Sequence, residues 1–309
     1  MPGRTMRSRR IAFEMLIEFS SWPHLSSQIY HALLPITLCL KLRAVRCQRH
    51  IYGSAQSVMI KAITFDLWDT VIHDDSDEGK RTAQGLSSKK QARRELALAV
   101  LNRHAPLDET TLVTAYDTME AAFNHVWHEQ HVTWTVDERI SVLLAGLART
   151  LPDPDRAELV AGLEEMEVSV PPNPIEGIAE AIAELAGSFK LGVVSDAIYS
   201  PGRCLRQWLQ MHDLLQHFQG FAFSDEVGHS KPHRDMFASV ASQLGVEIDD
   251  MLHIGDRDHN DIKGPHALGM KAVLFTATRD RDKNHTTADA VCGRAADLPA
   301  IIHRVAAND

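Results

Sequence analysis

The sequence has little cysteine and no long apolar run. Its four cysteines, Cys39, Cys47, Cys204 and Cys292, lie far apart without a CxxC pair, which argues against a disulfide framework and against a zinc site. The longest uncharged apolar run, residues 32–40, is too short to span a bilayer and contains a proline. These absences predict a soluble, cytoplasmic protein with reduced thiols and no membrane partner.

Basic residues are also scarce outside the first segment. The formal net charge of the 309 residues is −9, but residues 1–58 carry eight Lys or Arg against two acids, which leaves 24 basic and 39 acidic residues for the rest. Nucleic-acid binding depends on a cationic surface, so this balance argues against a nucleic-acid partner. An anionic ligand would need a local cationic site or a metal ion.

Residues 1–58 differ from the rest because they are rich in arginine and show no clear strand or capped helix. Two interpretations are open for this segment. It is either an extraneous or unstructured extension before a start at Met59, or an organellar targeting segment. Prediction of the fold therefore begins at Met59.

The body of the chain alternates between β-rich apolar runs and helical periods. The predicted strands cover residues 59–65, 191–194, 220–223, 251–254 and 271–275. Apolar residues recur at helical spacing over 175–185 and 298–302. This alternation predicts an α/β fold with a doubly wound parallel sheet, in which ligands bind at the carboxyl ends of the strands.

Residues 79–170 interrupt this alternation, since they contain no strand candidate and several amphipathic periods, such as Ile140, Leu143, Leu144 and Leu147. They predict a helical domain inserted into a core made of residues 59–78 and 171–309. An insertion that follows the first strand would cover the carboxyl edge of the sheet and exclude water from a site there.

The first two strand ends carry an acid and a hydroxyl. Asp66 follows the first strand and is a candidate nucleophile or metal ligand, and the turn from Leu67 through Trp68 to Thr70 offers backbone amides and a hydroxyl. Ser195 follows the second strand and could bind a phosphoryl oxygen. Taken alone, Asp66 is explained equally well as a cap of the turn, and Ser195 is better explained as a turn residue or helix cap.

The next two loops carry a lysine and an acid pair. Lys231 is constrained by Gly228 and Pro232, unlike an ordinary surface lysine, and presents an ammonium group for a phosphate or carboxylate. Asp256 and Asp261 lie five residues apart after the fourth strand. Together with the first acid they would form the oxygen-rich cage that Mg²⁺ prefers.

These four segments together resemble the motifs of the haloacid dehalogenase-like hydrolase superfamily. The similar segments are Phe65–Val71, Val194–Ala197, Gly228–Pro232 and Gly255–Asp261, and the resemblance covers residues 59–309. It implies a Rossmann-like core with a helical cap of the C1 type. It also implies a small phosphorylated substrate, Mg²⁺ as the cofactor and an aspartyl-phosphate intermediate.

The resemblance implies a role for each matching residue. Asp66 would be the nucleophile, with Ser195 and Lys231 as catalytic partners that hold phosphoryl oxygens. The metal would be bound by Asp66, Asp256 and the backbone carbonyl of Trp68, with support from Asp261. The resemblance implies further substrate contacts at Leu67, Trp68, Thr70 and Asp196.

Trp68 departs from the pattern of the family's phosphatases, which place a second aspartate at this position as general acid and base. Indole cannot transfer a proton in that way, and Asp69 lies one residue too late. The dehalogenases of the superfamily also have an aromatic residue there, so a metal-independent 2-haloacid dehalogenase is one alternative. A weakly active protein that binds phosphorylated ligands is another, although the acids Asp256 and Asp261 favour the metal-dependent phosphatase.

Two groups in the predicted insertion have less specific interpretations. His125, His128 and His131 recur at i, i+3 and i+6 of a predicted helix, which spreads them too widely to bind one zinc ion. A second group is predicted to be a solvated helix face that could attract anions: Lys80, Arg81, Lys89, Lys90, Arg93 and Arg94. The oligomeric state is left open by the sequence.

Overall fold

A six-stranded parallel sheet forms the centre of the protein. The computed structural model describes residues 59–307. The strands are β1 (Ala62–Phe65), β2 (Lys190–Ser195), β3 (Gly220–Phe223), β4 (Met251–Gly255), β5 (Lys271–Phe275) and β6 (Ala290–Cys292). They lie side by side in the order β3, β2, β1, β4, β5, β6, and every pair is parallel. The predicted parallel sheet is confirmed.

The register of the sheet aligns the carboxyl ends of its central strands. Phe65 of β1 lies opposite Val193 of β2 and Ile254 of β4. The residues that follow these positions therefore emerge at one edge of the sheet, on both sides of β1.

The five predicted strands differ from the observed ones only at their ends. β3 and β5 have the predicted limits, whereas β1 begins at Ala62 and Met59 is exposed. The sixth strand, β6, was not predicted, because three residues are too few to show a periodic pattern. The predictions for residues 1–58 lie outside the described residues.

Six of the seven helices between β1 and β2 form a helical insertion. They are α1 (Ser76–Ala83), α2 (Lys89–Asn102), α3 (Glu109–Gln130), α4 (Val136–Gly146), α5 (Asp153–Glu164) and α6 (Met166–Ser169). The insertion has its own apolar cluster, in which Leu112 of α3 packs with Ile140 and Leu143 of α4. Thr135 and Glu138 form a capping box that fixes the start of α4. The predicted limits at residues 79 and 170 stay a prediction.

The remaining helices belong to the core. They are α7 (Ile178–Ala186), α8 (Gly202–Met211), α9 (Ser224–Val227), α10 (Arg234–Leu244), α11 (Gly264–Ala267) and α12 (Leu298–Ala307). Short 3₁₀ segments cover Leu215–His217, Ile248–Asp250 and Ala295–Asp297, and a π-helical turn covers Asp258–Lys263.

Helices cover both faces of the sheet, as the apolar runs predict. On one face, Ile63 and Phe65 of β1 join the cluster that contains residues of α7, α8 and α12. On the other face, Ala62 packs with Phe237 and Val240 of α10. Each fully buried large apolar side chain contributes about 1.5–3 kcal/mol, so burial on both faces holds the strand ends in fixed positions.

The described residues bear on two predictions, one about membrane-spanning helices and one about reduced cysteine thiols. In the range 59–307, no helix combines the length and the apolar character that a membrane crossing requires. Cys204 and Cys292 are buried free thiols, and Cys39 and Cys47 lie outside the described range.

Candidate active site

Lys231 lies at the centre of the polar cluster above the sheet edge. Its Nζ is 2.8 Å from Oδ1 of Asp66 and 2.7 Å from Oδ1 of Asp261, and only 4% of the residue is exposed. Its backbone N–H donates to Oδ1 of Asp196 at 2.9 Å. Although burial disfavours the ammonium, the carboxylates of Asp261 and Asp66 raise the pKa of Lys231, so it stays charged.

Three buried carboxylates converge beside this lysine. One oxygen from each of Asp66, Asp256 and Asp261 lies within 4.8 Å of the others. Burial, together with the charges of Asp66 and Asp261, raises the pKa of Asp256 to about 7. Oδ1 of Asp256 is buried without a hydrogen-bond partner. An unpartnered oxygen among converging acids fits a divalent cation with oxygen ligands, as in Mg²⁺ sites.

Asp261 differs from the other two acids because protein donors already occupy both of its oxygens. Oδ1 faces Lys231 at 2.7 Å and Nε2 of His253 at 3.2 Å, and Oδ2 accepts the backbone N–H of Arg257 at 2.9 Å. Burial opposes ionisation, but Lys231 and His253 hold the pKa of Asp261 well below its usual range. The geometry makes it an anchor for the lysine more than a direct metal ligand.

Two of the predicted site residues have a buried hydroxyl without a protein partner, Ser195 through Oγ and Thr70 through Oγ1. Such groups are costly unless something binds them. Ser195 ends β2 and Thr70 lies in the turn after β1, so both belong to this edge of the sheet. Leu67 is fully buried in the apolar core, so its side chain does not reach a substrate and only its backbone remains a candidate contact.

Burial also shifts the titration of Asp196. It raises the pKa of this carboxyl to about 6, against the opposing effect of the Lys231 ammonium. Asp196 is 7% exposed and contributes to the wall of the same cavity as Asp66.

A cavity of about 240 Å³ opens beside Asp66, Asp196 and Lys231, and residues of both the core and the helical insertion line it. The core contributes Asp66, Trp68, Asp196, Lys231, Arg257 and Asp261 to its walls, and the insertion contributes Lys89, Arg93, Trp127 and Glu167. Trp68 packs partly against the apolar core and occupies the wall where an acid was expected. Asp69 is not among the described residues that line the cavity.

The prediction of a solvated basic helix face is wrong for Lys89 and Arg93, the two residues of that group that line the cavity. Lys89 is 4% exposed, and its Nζ lies 3.0 Å from Asp77 and 3.2 Å from Glu167. The guanidinium of Arg93 lies 3.5 Å from the ring centroid of Tyr199. Lys89 is thus a buried ion-pair partner at the cavity wall, and Arg93 is a partly buried one that lies 3.6 Å from Glu167. The reason is that α2 packs against acids of neighbouring segments.

The predicted histidine array is only partly helical. His125 and His128 belong to α3, which ends at Gln130, and His131 follows with a positive φ of 53°. Among the residues that the structure describes, these three histidines do not belong to a group close enough together to share one metal ion.

Sequence reasoning missed two residues that contact the acids. Nη1 of Arg279, in the irregular segment after β5, donates to the backbone carbonyl of Asp256 at 2.7 Å and lies 3.4 Å from its Oδ2. Nothing in the sequence near Arg279 marks it. His253 contacts Asp261, and a histidine within an apolar strand was a signal that could have been used.

Comparisons with known proteins show the family of this chain. The model of the family described as haloacid dehalogenase-like hydrolase matches residues 60–269. The chain is 31% identical over 113 residues to the glyceraldehyde 3-phosphate phosphatase of Methanopyrus kandleri, which is 36% of this chain and 46% of that protein. It is 31% identical over 100 residues to the phosphoglycolate phosphatase of Salmonella paratyphi A, which is 32% of this chain and 38% of that protein. The matched region is thus less than half of either relative.

The fold is also similar to that of a solved structure, the 2-haloacid dehalogenase from Pseudomonas syringae pv. Tomato DC3000. The TM-score is 0.56 with 19% identity, over 80% of this chain and 99% of that one. At this identity the likeness concerns the fold alone. Since the family model covers more than half of the residues, the chain belongs to the haloacid dehalogenase-like hydrolases.

Proposed function

We propose that this hydrolase is a Mg²⁺-dependent phosphatase that acts on a small phosphorylated metabolite through an aspartyl-phosphate on Asp66. The observation that carries the proposal is the convergence of Asp66, Lys231 and Asp256 within one buried cluster. The buried oxygen of Asp256 that lacks a hydrogen-bond partner is an argument for a bound cation. The unpartnered hydroxyls of Ser195 and Thr70 are an argument for a bound phosphoryl group.

Asp66, Asp256 and the carbonyl of Trp68 would hold the Mg²⁺ ion, and Asp261 would support it indirectly. When bound, the ion supplies positive charge that offsets the charge of the phosphoryl oxygens. The protein itself supplies a second positive charge through Lys231, whose ammonium is fixed by two carboxylates. Preorganised charge of this kind is a large contribution to catalysis.

In the first step, an oxygen of Asp66 attacks phosphorus, and the bond between phosphorus and the leaving oxygen breaks. Ser195 and Thr70 donate hydrogen bonds to phosphoryl oxygens. In the second step, water attacks phosphorus, which releases inorganic phosphate and restores the Asp66 carboxylate. The water loses its proton to the surrounding solvent or to a buffer base, since no acid occupies position 68.

Trp68 determines which substrates suit this site. A general acid contributes about 10²–10⁴-fold to the rate, and indole cannot replace it. Aryl and acyl phosphates, whose leaving groups need no proton, are therefore better substrates than alkyl phosphates. The cavity of about 240 Å³ suits a small molecule, and the named activities of the two phosphatase relatives concern small phosphorylated molecules.

A 2-haloacid dehalogenase is the second candidate, because Trp68 is aromatic, as is the residue that the dehalogenases of the superfamily have at this position. In that reaction Asp66 would attack carbon, displace halide and need no metal. The buried acids argue against it, since the charges of Asp256 and Asp261 beside the nucleophile call for a cation.

The test is phosphate release from a panel of phosphate esters, with Mg²⁺ or with EDTA. We expect turnover that requires Mg²⁺ and is lost in Asp66→Asn. Asp69→Asn is the matched control, because Asp69 is an adjacent aspartate that does not line the cavity, and it should keep full activity. Turnover that survives in Asp66→Asn would disprove the covalent mechanism. Halide release from a 2-haloacid in EDTA would favour the dehalogenase, and ligand binding without turnover would favour a binding protein.

A further inference from the structure

A buried histidine lies behind the catalytic cluster, within a strand of the core. His253 is the third residue of β4, its side chain is fully buried, and its neighbours in the strand are apolar. One ring nitrogen, Nδ1, lies 2.8 Å from Oγ1 of Thr64 on β1, and the other, Nε2, lies 3.2 Å from Oδ1 of Asp261. Both edges of the ring are therefore occupied, while the ring itself does not line the cavity.

The contact with Asp261 determines which nitrogen of His253 carries the proton. A carboxylate oxygen can only accept, so Nε2, which lies 3.2 Å from Oδ1 of Asp261, carries the ring proton and donates to it. The unprotonated Nδ1 is then an acceptor, and the Thr64 hydroxyl donates to it at 2.8 Å. The other possible acceptor of this hydroxyl, the carbonyl of Leu252 at 3.4 Å, is at the limit of a hydrogen bond.

The packing around the ring keeps this arrangement in place. Phe237 of α10 meets the His253 ring edge to face, with centroids 5.3 Å apart and an interplanar angle of 88°. A ring flip would place a carbon where each hydrogen bond now lies, and both partners are buried. Unsatisfied buried partners are costly, so one orientation and one tautomer are strongly preferred.

The proton on Nε2 has a consequence for the nucleophile. Asp261 receives three donors, two of which are His253 and the backbone of Arg257, and these fix its carboxylate plane. Its Oδ1 in turn holds the Lys231 ammonium, which lies 2.8 Å from Asp66. A continuous chain of contacts thus runs from Thr64 through His253 and Asp261 to the lysine.

We propose that His253 is a positioning residue, which donates from Nε2 to Asp261 and so fixes the Lys231 ammonium beside Asp66. A neutral imidazole suits this place because it supplies a donor without adding a charge that would compete with the lysine for Asp261. Thr64 contributes to the same arrangement, since its hydroxyl donates to Nδ1 and so stabilises the tautomer with the proton on Nε2. The kinetic part of the proposal rests on the proposed phosphatase function, whereas the tautomer does not.

The tautomer is tested directly by ¹⁵N NMR of the histidine rings in the full chain, assigned with the spectrum of His253→Gln. We expect Nδ1 of His253 to resonate as an unprotonated nitrogen and Nε2 as a protonated one. A proton on Nδ1, in either a neutral or a doubly protonated ring, would overturn the proposal. This result is independent of any activity, so it distinguishes failure of the proposal from failure of the proposed function.

The role is tested by kinetics of aryl phosphate hydrolysis with Mg²⁺. His253→Leu removes the donor and should lower kcat by about 10–100-fold, as loss of a supporting hydrogen bond to a site ligand does. KM should stay nearly constant because His253 does not touch substrate. His253→Gln, whose amide can donate to Asp261, should recover most of the lost kcat. An unchanged kcat in His253→Leu, or no recovery in His253→Gln, would contradict the role.

A second variant avoids a large change in the core. Thr64→Val keeps the shape of the side chain and removes the hydroxyl, so we expect kcat to fall several-fold at constant KM. Thr133→Val is the matched control, because Thr133 is equally buried but its hydroxyl has no partner, and its kcat should equal that of the wild type. Equal kcat values for the two valine variants would show that the Thr64 hydroxyl has no such role.

Discussion

Asp256 provides the most direct test of the acidic cluster. Its pKa is raised from 3.8 to about 7 by burial and by the charges of Asp66 and Asp261. In the unfolded chain this carboxyl has its ordinary pKa. Between pH 4 and 7 the folded protein therefore binds a proton that the unfolded chain does not. Stability without metal falls as the pH rises through this window.

The size of the effect follows from the same shift. Each pKa unit corresponds to about 1.4 kcal/mol, so ionised Asp256 costs the metal-free fold at most about 4 kcal/mol at pH 8. Asp256→Asn removes the charge and keeps the shape. Because solvent and neighbouring charges share the cost, we expect the variant to gain about 2 kcal/mol over the wild type at pH 8.

The assay is urea unfolding at pH 5 and pH 8, with EDTA and with Mg²⁺. In EDTA the wild type should lose more stability between pH 5 and 8 than Asp256→Asn. The variant keeps the smaller loss due to Asp74 and Asp196, whose pKa values are both raised to about 6. Asp261 does not obscure this window, because its pKa is lowered and its contribution is lost only at more acidic pH. Mg²⁺ at a hundred times its dissociation constant should stabilise the wild type by about 2.7 kcal/mol and the variant hardly at all.

Two results would refute this reasoning. If Asp256→Asn is less stable than the wild type in EDTA at pH 8, the neighbouring negative charges do not destabilise the ionised carboxylate of Asp256. If Mg²⁺ stabilises the variant as much as the wild type, the ion does not bind at this cluster.

Three further predictions concern neighbouring residues. Trp68→Asp supplies the missing acid and should raise turnover of an alkyl phosphate by about 10²-fold, while an aryl phosphate changes little; equal effects on both would contradict the argument. Lys231→Met leaves two buried carboxylates without their partner and should lower the free energy of unfolding by about 3–5 kcal/mol, measured in EDTA at pH 8. Lys89→Met should cost a similar amount for the same reason, with Lys90→Met, on the exposed side of α2, as the control that stays near wild type.

The fold was predictable to the extent that it depends on buried strands. The apolar runs that became β3 and β5 have the predicted limits, because strands covered on both faces are apolar throughout and end abruptly at polar residues. β6 was missed because a three-residue edge strand is defined by its neighbour β5 and not by a pattern of its own. Ile175 was placed in a helix that begins only at Ile178.

The candidate site was predictable where its residues follow strands directly. Asp66, Lys231 and Asp256 meet as expected, since the register of a parallel sheet brings strand ends together. Their roles stay predictions. Arg279 could not be predicted, because its contact with Asp256 depends on the path of an irregular segment. Lys89 looked like a surface residue because its acidic partners, Asp77 and Glu167, lie in other helices and at no regular spacing from it in the sequence.

The sequence by itself determined the alternation of strands and helices, the polar residues at the strand ends and the tryptophan in place of an acid. These features are local, since hydrophobic periodicity and residue type are properties of short segments. Only the tertiary structure decided that Asp261 has its oxygens occupied, that Asp256 keeps one unpartnered, and that His253 connects Thr64 to the cluster. Hydrogen bonds and pKa shifts depend on distances of a few ångströms between side chains that are up to nearly 200 residues apart in the sequence. Only the packing of the folded chain fixes those distances.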